Sequence, residues 1–135
     1  MQTFLPYPDF YQSAQCLDRA RLGKERVECL QILHAITEPT YGWQNHPIVK
    51  AWRGHTAYLA LYGLCICDEW IARGYKDTCY AKIAPYLDSA ENTPPEWLGD
   101  ERVHASHRAN LLRKDPEWYS RFGWSESPDM PYFWP

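Results

Sequence analysis

The strongest helical pattern in the chain lies between Pro47 and Gly74, where the sequence reads PIVKAWRGHTAYLALYGLCICDEWIARG. Seven side chains recur in this stretch at steps of three or four residues: Ile48, Trp52, His55, Leu59, Tyr62, Ile66 and Trp70. Steps of this size place side chains on one face of an α-helix. The pattern predicts a single helix of about 27 residues, roughly 40 Å long, that begins at Pro47 and is ended by Gly74.

Shorter helices are predicted on both sides of this stretch. Asp9 is a suitable N-cap for a helix that ends near Cys16, and Asp18 is a suitable N-cap for a helix over residues 19–37. Later helices are expected over residues 77–87, 100–114 and 116–122. No segment alternates apolar and polar residues for long enough to predict a strand. The sequence therefore predicts an all-α fold, with residues 1–135 forming a single compact domain around one long central helix.

Three segments are not expected to be helical. Pro6 and Pro8 exclude a helix at the beginning of the chain. Residues 40–46 form a loop before the long helix. Residues 125–135 are rich in proline and aromatic side chains, and we expect them to lie across the surface in an extended form.

The composition is typical of a folded domain. Apolar residues make up 45% of the chain and charged residues 23%, which argues against disorder. The net charge of −3 argues against a nonspecific coat for nucleic acid. Positive and histidine side chains nevertheless form two groups: Arg19, Arg21, Lys24 and Arg26, and then Arg102, His104, His107, Arg108, Arg113 and Lys114. The sequence is thus compatible with a local basic surface.

The five cysteines do not form a recognisable framework. Their number is odd, no pair has CxxC spacing, and no signal-peptide pattern precedes them. We therefore expect reduced thiols, a cytoplasmic location, no metal site and no cofactor. No apolar run reaches the length of about 18 residues that a membrane span needs.

Four groups of polar or charged residues are candidates for chemistry or ligand contact, and aromatic residues form a fifth group. The α-amine of Met1 is the first, because an ordinary α-amine has a pKa of about 7.7–8.0 and can attack an aldehyde-like sugar carbon. Asp18, Arg21 and Glu25 share one side of the second helix. They form either an ion-paired structural face or a site in which a carboxylate supports a cationic transition state and arginines bind phosphates.

Histidines mark the other two groups. His46 lies in the loop before the long helix, close in sequence to Arg53, and is a candidate for function. His55 falls on the apolar helix face and is expected to be buried and structural. His104, His107 and Arg108 share one helix side, where they serve either phosphate or base contact or structural hydrogen bonds. Aromatic residues from Trp118 to Trp124 are expected to pack, with stacking on a nucleotide as the alternative.

The order of several motifs resembles that of the phage pyrimidine-dimer DNA glycosylases, and more closely their bacterial and phage relatives. The resemblance extends over almost the whole chain. Its motifs are the basic helix with Arg26-Val27, Ile71-Ala72-Arg73-Gly74-Tyr75 followed by Lys76-Asp77-Thr78, Pro95-Glu96-Trp97-Leu98-Gly99-Asp100 before a helix that carries a histidine, and the aromatic segment from Asp115-Pro116-Glu117-Trp118-Tyr119 to Gly123.

This resemblance implies an all-α protein that acts as a monomer on double-stranded DNA with a damaged or modified base. In the family, the N-terminal amine attacks C1′ of the damaged nucleotide, a Schiff base forms, and β-elimination nicks the strand. A glutamate assists, arginines hold phosphates, and a base is flipped out. The implied DNA-binding residues are Arg19, Arg21, Arg26, His46, Arg53, His107 and Arg108, together with Lys24.

Two positions depart from the family pattern. Gln2 is too large for efficient removal of the initiator methionine, so the amine is expected to be that of Met1. Gly23 stands where an ungapped match places the catalytic glutamate, so Glu25 or Asp18 is expected to replace it. Lys24 is an alternative amine, although an ordinary lysine has a pKa near 10.4.

Three alternatives to a glycosylase with lyase activity follow from these departures. One is a DNA-binding relative that has lost catalysis. Another is a hydrolase that acts on a modified base or nucleotide without a lyase step. The third is an interaction module with no role in nucleic-acid chemistry.

Overall fold

The computed structural model describes residues 1–135 and contains helices but no strands, which confirms the predicted all-α class. The helices are α1 (Phe10–Cys16), α2 (Arg19–Thr37), α3 (Pro47–Trp52), α4 (Thr56–Ala72), α5 (Tyr80–Ile83), α6 (Glu101–Lys114) and α7 (Pro116–Tyr119). Two 3-10 helices, Ala84–Asp88 and Ser120–Phe122, follow α5 and α7. None of the helices is both long enough and apolar enough to cross a membrane.

The prediction of one long helix over residues 47–74 is wrong, because the stretch forms two helices, α3 and α4. Gly54 lies between them with φ +89°, a left-handed conformation that glycine adopts without steric penalty. His55 is the N-cap residue of α4 and is only half-buried, so its expected core position is also wrong. Its Nδ1 lies 2.9 Å from the carbonyl oxygen of Thr93 and so links the break to a distant loop.

Aspartate side chains cap four of the helices, and three of these caps are the ones that the sequence predicts. The side chains of Asp9, Asp18 and Asp100 accept hydrogen bonds from backbone N–H groups in the first turns of α1, α2 and α6. Each such bond pairs a donor that has no partner within the helix. The helix predicted over residues 77–87 is correct in place but divides into α5 and a 3-10 helix.

The core forms where α4 packs against α1, α2 and α5. Trp52, Tyr62 and Ile66 are fully buried there. Gly63 allows α2 and α4 to approach closely, since a Cβ atom at this position would lie 2.5 Å from Sγ of Cys29 and 3.1 Å from Ile83. The close contact between α2 and α4 places the carboxylates of α2 beside the N-terminal segment.

We predict that Gly63→Ala lowers the free energy of unfolding by about 1–3 kcal/mol, the usual result of overpacking a core. Urea denaturation followed by circular dichroism measures the change. The matched control is Gly42→Ala, because Gly42 is exposed and a Cβ atom there meets nothing within 4 Å. A control effect within about 0.5 kcal/mol is expected, and equal effects at both sites would contradict the packing role of Gly63.

Candidate active site

Three side chains of α6 hold the N-terminal segment in place. The backbone N–H of Leu5 donates to Nδ1 of His107 at 2.9 Å, and the carbonyl oxygen of Leu5 lies 2.8 Å from Nδ1 of His104. Arg108 donates to the carbonyl oxygen of Pro6 at 2.8 Å. We call these three side chains the α6 clamp. Because the clamp fixes residues 5 and 6, it also determines where the first four residues lie.

The clamp works with neutral histidines. Nε2 of His104 accepts a hydrogen bond from the N–H of Gly99 at 2.9 Å, so its Nδ1 carries the proton and donates to Leu5. Nδ1 of His107 accepts from the N–H of Leu5 and is therefore unprotonated. Burial lowers the pKa of His104, and burial with the nearby His104 lowers the pKa of His107 to about 3.

His107 and Arg108 therefore do not lie on an open surface, although the sequence places them on the DNA-binding face. Their exposed fractions are only 3% and 9%. Arg108 also pairs with Glu126 at 2.8 Å and with Glu101, which occupies the rest of its guanidinium group. The structure thus gives both residues partners within the protein, and the surface that we propose for DNA excludes them.

Two buried glutamates of α2 bind the first residues of the chain. The N–H of Phe4 donates to Oε1 of Glu25 at 2.7 Å, and the hydroxyl of Tyr62 donates to the same oxygen at 2.6 Å. The N–H of Gln2 donates to Oε2 of Glu28 at 3.4 Å. Glu25 and Glu28 are three residues apart and share one helix face. We call them the carboxylate pair.

Burial is the main influence on the protonation of Glu25. It raises the pKa of Glu25 well above its usual range, and a hydrogen bond with Glu28 raises it further. Hydrogen bonds from Tyr62 and Phe4 oppose the increase. Glu25 therefore keeps its proton to a higher pH than an exposed glutamate does.

An open cleft of about 410 Å³ lies over the carboxylate pair. Its lining residues come from the N-terminus, α2, the end of α6 and the C-terminal tail: Met1, Gln2, Phe4, Ala20, Arg21, Lys24, Glu25, Glu28, Lys114 and Tyr132. Four of the residues predicted for the site, Met1, Arg21, Lys24 and Glu25, therefore line one cleft.

The rim of this cleft is positively charged. The side chain of Lys24 is 73% exposed and lies 3.5 Å from Glu28. Burial lowers the pKa of Lys114, and the nearby positive charges of Arg21, Arg113 and Lys24 lower it further. Repulsion among these cations would be relieved by an anion, which gives the rim the character of a phosphate-binding surface.

Other predicted site residues lie beside the cleft rather than in it. Burial lowers the pKa of His46, and the charge of the N-terminal amine lowers it further, which places His46 near that amine. Asp18 caps α2 and accepts a hydrogen bond from the hydroxyl of Tyr119. Asp18 also pairs with Arg21 at 3.3 Å, as the ion-paired structural interpretation of this helix side requires.

Three of the predicted arginines have partners outside the cleft. Arg26 pairs with Asp77 at 2.6 Å and lies over the ring of Trp70. Arg19 lies over the ring of Tyr75, and together with Arg26 it lines a shallow groove that adjoins the cleft at Lys24. Arg53 is exposed and donates to the carbonyl oxygen of Gln44.

Four polar residues that line the cleft are not among the predicted site residues: Gln2, Glu28, Lys114 and Tyr132. The sequence does contain a signal for Glu28, because Glu28 lies on the same helix face as Arg21 and Glu25, seven and three residues after them. Nε2 of Gln2 is buried without a hydrogen-bond partner. Burial raises the pKa of Tyr132 to about 12, against smaller lowering effects of Arg113 and Gln2. No local pattern connects Lys114 or Tyr132 with the N-terminus.

Comparison with known proteins finds one family. A model described as pyrimidine dimer DNA glycosylase matches residues 1–83, which include the N-terminal segment and the carboxylate pair. The α6 clamp, Lys114 and Tyr132 lie beyond the matched range. No curated protein and no solved structure matches the chain.

We predict that the α6 clamp gives the protein a specific loss of stability in acid. The folded pKa of His107, about 3, lies below the unfolded value of about 6.5, so unfolding takes up a proton between these values. His107→Asn keeps an acceptor for Leu5 but cannot titrate. Wild type should be the more stable protein above pH 6.5.

The difference in free energy of unfolding between wild type and His107→Asn should then shrink by up to about 1.4 kcal/mol per pH unit as the pH falls towards 3. Urea denaturation of both proteins at several pH values measures this difference. Both proteins contain Glu25, so its contribution to the pH dependence is the same in each and cancels. A difference that stays constant over this range would show that His107 is not held neutral in the interior.

Proposed function

Because the chain belongs to the pyrimidine dimer DNA glycosylase family, we propose that it excises a damaged or modified pyrimidine from double-stranded DNA and then nicks the strand as an AP lyase. The single observation that carries the lyase part is the position of Met1. Met1 lines the same cleft as the carboxylate pair and three cationic side chains. A nucleophile, a proton carrier and a phosphate-binding rim are the parts that this reaction needs.

In this proposal the unprotonated α-amine of Met1 attacks C1′ of the damaged nucleotide. The C1′–N glycosidic bond breaks, and the base leaves with its bonding electrons and a proton. The amine nitrogen then loses its own proton and the sugar ring opens, which leaves a C1′=N Schiff base. Removal of a C2′ proton expels the 3′ phosphate by β-elimination, and water hydrolyses the Schiff base to restore the amine.

The carboxylate pair is proposed to carry the protons of these steps. Oε1 of Glu25 is occupied by the N–H of Phe4 and the hydroxyl of Tyr62, so Glu25 is anchored. Glu28 binds the N–H of Gln2 and lies beside Lys24 at the cleft mouth. A proton held by Glu25 can pass to the leaving group or ring oxygen, and the resulting carboxylate can accept a proton from the amine or C2′.

Phosphate contacts are assigned to the rim of the cleft. We propose Arg21, Lys24 and Lys114 as the main cations that hold the strand next to the reacting sugar. Arg19 extends this surface along the adjoining groove. Arg26 and Arg53 are proposed only for weaker contacts, because each is already engaged by groups of the protein.

Borohydride trapping on a duplex with one abasic site tests the lyase proposal. Mass spectrometry first establishes that the wild-type protein begins at Met1. This protein should give a covalent adduct that is lost when the α-amine is blocked. Lys24→Arg removes the alternative amine and should leave the adduct unchanged. An adduct that survives blocking but not Lys24→Arg would move the nucleophile to Lys24.

Absence of any adduct, with release of a damaged base intact, would favour the second candidate, a glycosylase that uses water. Glu25 supports that candidate, since burial raises its pKa and so makes its carboxylate a stronger general base for water.

We predict that Glu25→Gln slows formation of the adduct about a hundredfold, the usual effect of losing an acid–base group. Glutamine keeps an oxygen for Phe4 and Tyr62 but cannot take up a proton. Single-turnover trapping over time measures the rate, and Glu38→Gln at the exposed end of α2 is the control. An unchanged rate for Glu25→Gln would remove Glu25 from the proton transfers.

We predict that Lys114→Ala weakens DNA binding and reduces the dependence of log Kd on log salt by about one ion. Fluorescence anisotropy with a labelled duplex at several salt concentrations measures both. The control is Lys82→Ala, an exposed lysine of α5 that does not line the cleft. If both variants keep the wild-type slope, Lys114 does not contact phosphate.

A further inference from the structure

Trp43 combines two unusual properties. Its side chain is 58% exposed, the largest value among the exposed large hydrophobic residues. It is also the one residue other than glycine with a positive φ, at +69°. A bulky residue in the left-handed region is strained, and such strain persists only where the surrounding structure enforces it. Burial of the indole does not explain this conformation, because most of the side chain faces solvent.

The loop that carries Trp43 is held rigidly. The side-chain nitrogen of Gln44 donates to the carbonyl oxygens of Ala35, Glu38 and Tyr41 at 2.7, 3.1 and 3.0 Å. The N–H of His46 donates to the carbonyl oxygen of Trp43 at 3.0 Å. These bonds fix the backbone on both sides of Trp43, and the edge-on contact with the ring of His46 restrains the indole itself.

Trp43 stands next to the candidate active site. Its ring lies 5.9 Å from the ring of His46, which in turn lies 6.3 Å from Trp134 of the tail. His46 is near enough to the N-terminal amine for the charge of that amine to lower its pKa. The ring of His46 therefore lies between the exposed indole and the region of the N-terminal amine.

We propose that Trp43 inserts its indole into the DNA base stack at the position from which the target nucleotide is extruded. This proposal rests on the proposed function, since a base that is excised must first leave the duplex. Extrusion leaves a gap between neighbouring bases, and a flat aromatic ring can stack on the bases that border it. The indole is held outward before DNA arrives, so little side-chain ordering is needed on binding.

The neighbouring charges favour DNA over a protein partner for this residue. Arg21, Lys24 and Lys114 border the adjoining cleft and attract phosphates. An aromatic side chain beside a cationic rim is the combination that binds unstacked nucleic acid. A second copy of the chain is the other occupant to be tested, because exposed aromatic residues also occur at protein interfaces.

The experiment compares the affinity of the full chain for two duplexes of one sequence, one of which carries a tetrahydrofuran abasic site. Wild type should bind the abasic duplex more tightly. Trp43→Ala should weaken binding to the abasic duplex about tenfold and leave binding to the intact duplex unchanged. Trp43→Phe should retain most of the preference. Tyr11→Ala, which removes an exposed aromatic side chain outside the cleft, is the control.

Trp43→Gly separates a stacking role from a folding defect. Glycine adopts a positive φ without strain, so this variant should unfold at an equal or higher temperature than Trp43→Ala while losing the same preference for the abasic duplex. As a second readout, 2-aminopurine placed next to the abasic site reports stacking by the indole. The fluorescence change that wild type causes should be absent with both variants.

Each contrary outcome has a distinct meaning. Wild type that binds neither duplex would overturn the proposed DNA function and this proposal with it. Wild type that prefers the abasic duplex, with the same preference in Trp43→Ala, would overturn the stacking role alone. A change in sedimentation from dimer to monomer in Trp43→Ala, with DNA binding intact, would assign the indole to an interface between copies instead.

Discussion

The N-terminal segment is extended and largely buried, so its backbone polar groups need partners that no helix or sheet supplies. Side chains from two helices provide them. The α6 clamp pairs the backbone of Leu5 and Pro6, and the carboxylate pair of α2 accepts from the N–H groups of Gln2 and Phe4. An unpaired buried N–H or C=O group would cost about 1–3 kcal/mol. The position of the first residue is therefore a consequence of helix packing rather than of local sequence.

The same contacts explain how two glutamates are tolerated in the interior. A buried carboxylate is unfavourable unless donors surround it or a proton neutralises it. Glu25 receives two short hydrogen bonds and has a pKa raised by burial, whereas Lys24 lies beside Glu28 at the surface. The arrangement supplies two donors to Oε1 of Glu25 and favours a proton on this carboxyl group. Structural support and proton transfer are thus compatible in one cluster.

Sequence patterns predicted the parts of the fold that depend on local chemistry. The N-caps at Asp9 and Asp18 are correct because a cap involves only the next helical turn. Periodicity could not predict the break at Gly54, since spacing records which face is apolar and not the conformation of each residue. Periodicity also could not distinguish a clamp from a DNA-binding face at His107, because both place side chains on one helix side. Glu28 followed a pattern already noted for Glu25, whereas Lys114 reaches the cleft only through tertiary packing.

Helix geometry accounts for the glycine at the position where an ungapped match would place a catalytic glutamate. Successive residues of an α-helix differ by about 100°, so positions 23 and 25 face nearly opposite directions. A Cβ atom at Gly23 would lie 2.9 Å from the ring of Trp70, whereas Glu25 faces the N-terminal segment. A glutamate at position 23 would therefore meet Trp70 and could not approach the amine of Met1. The helix face and its neighbours, rather than the residue number in an alignment, therefore decide which carboxylate of α2 can reach the N-terminal segment.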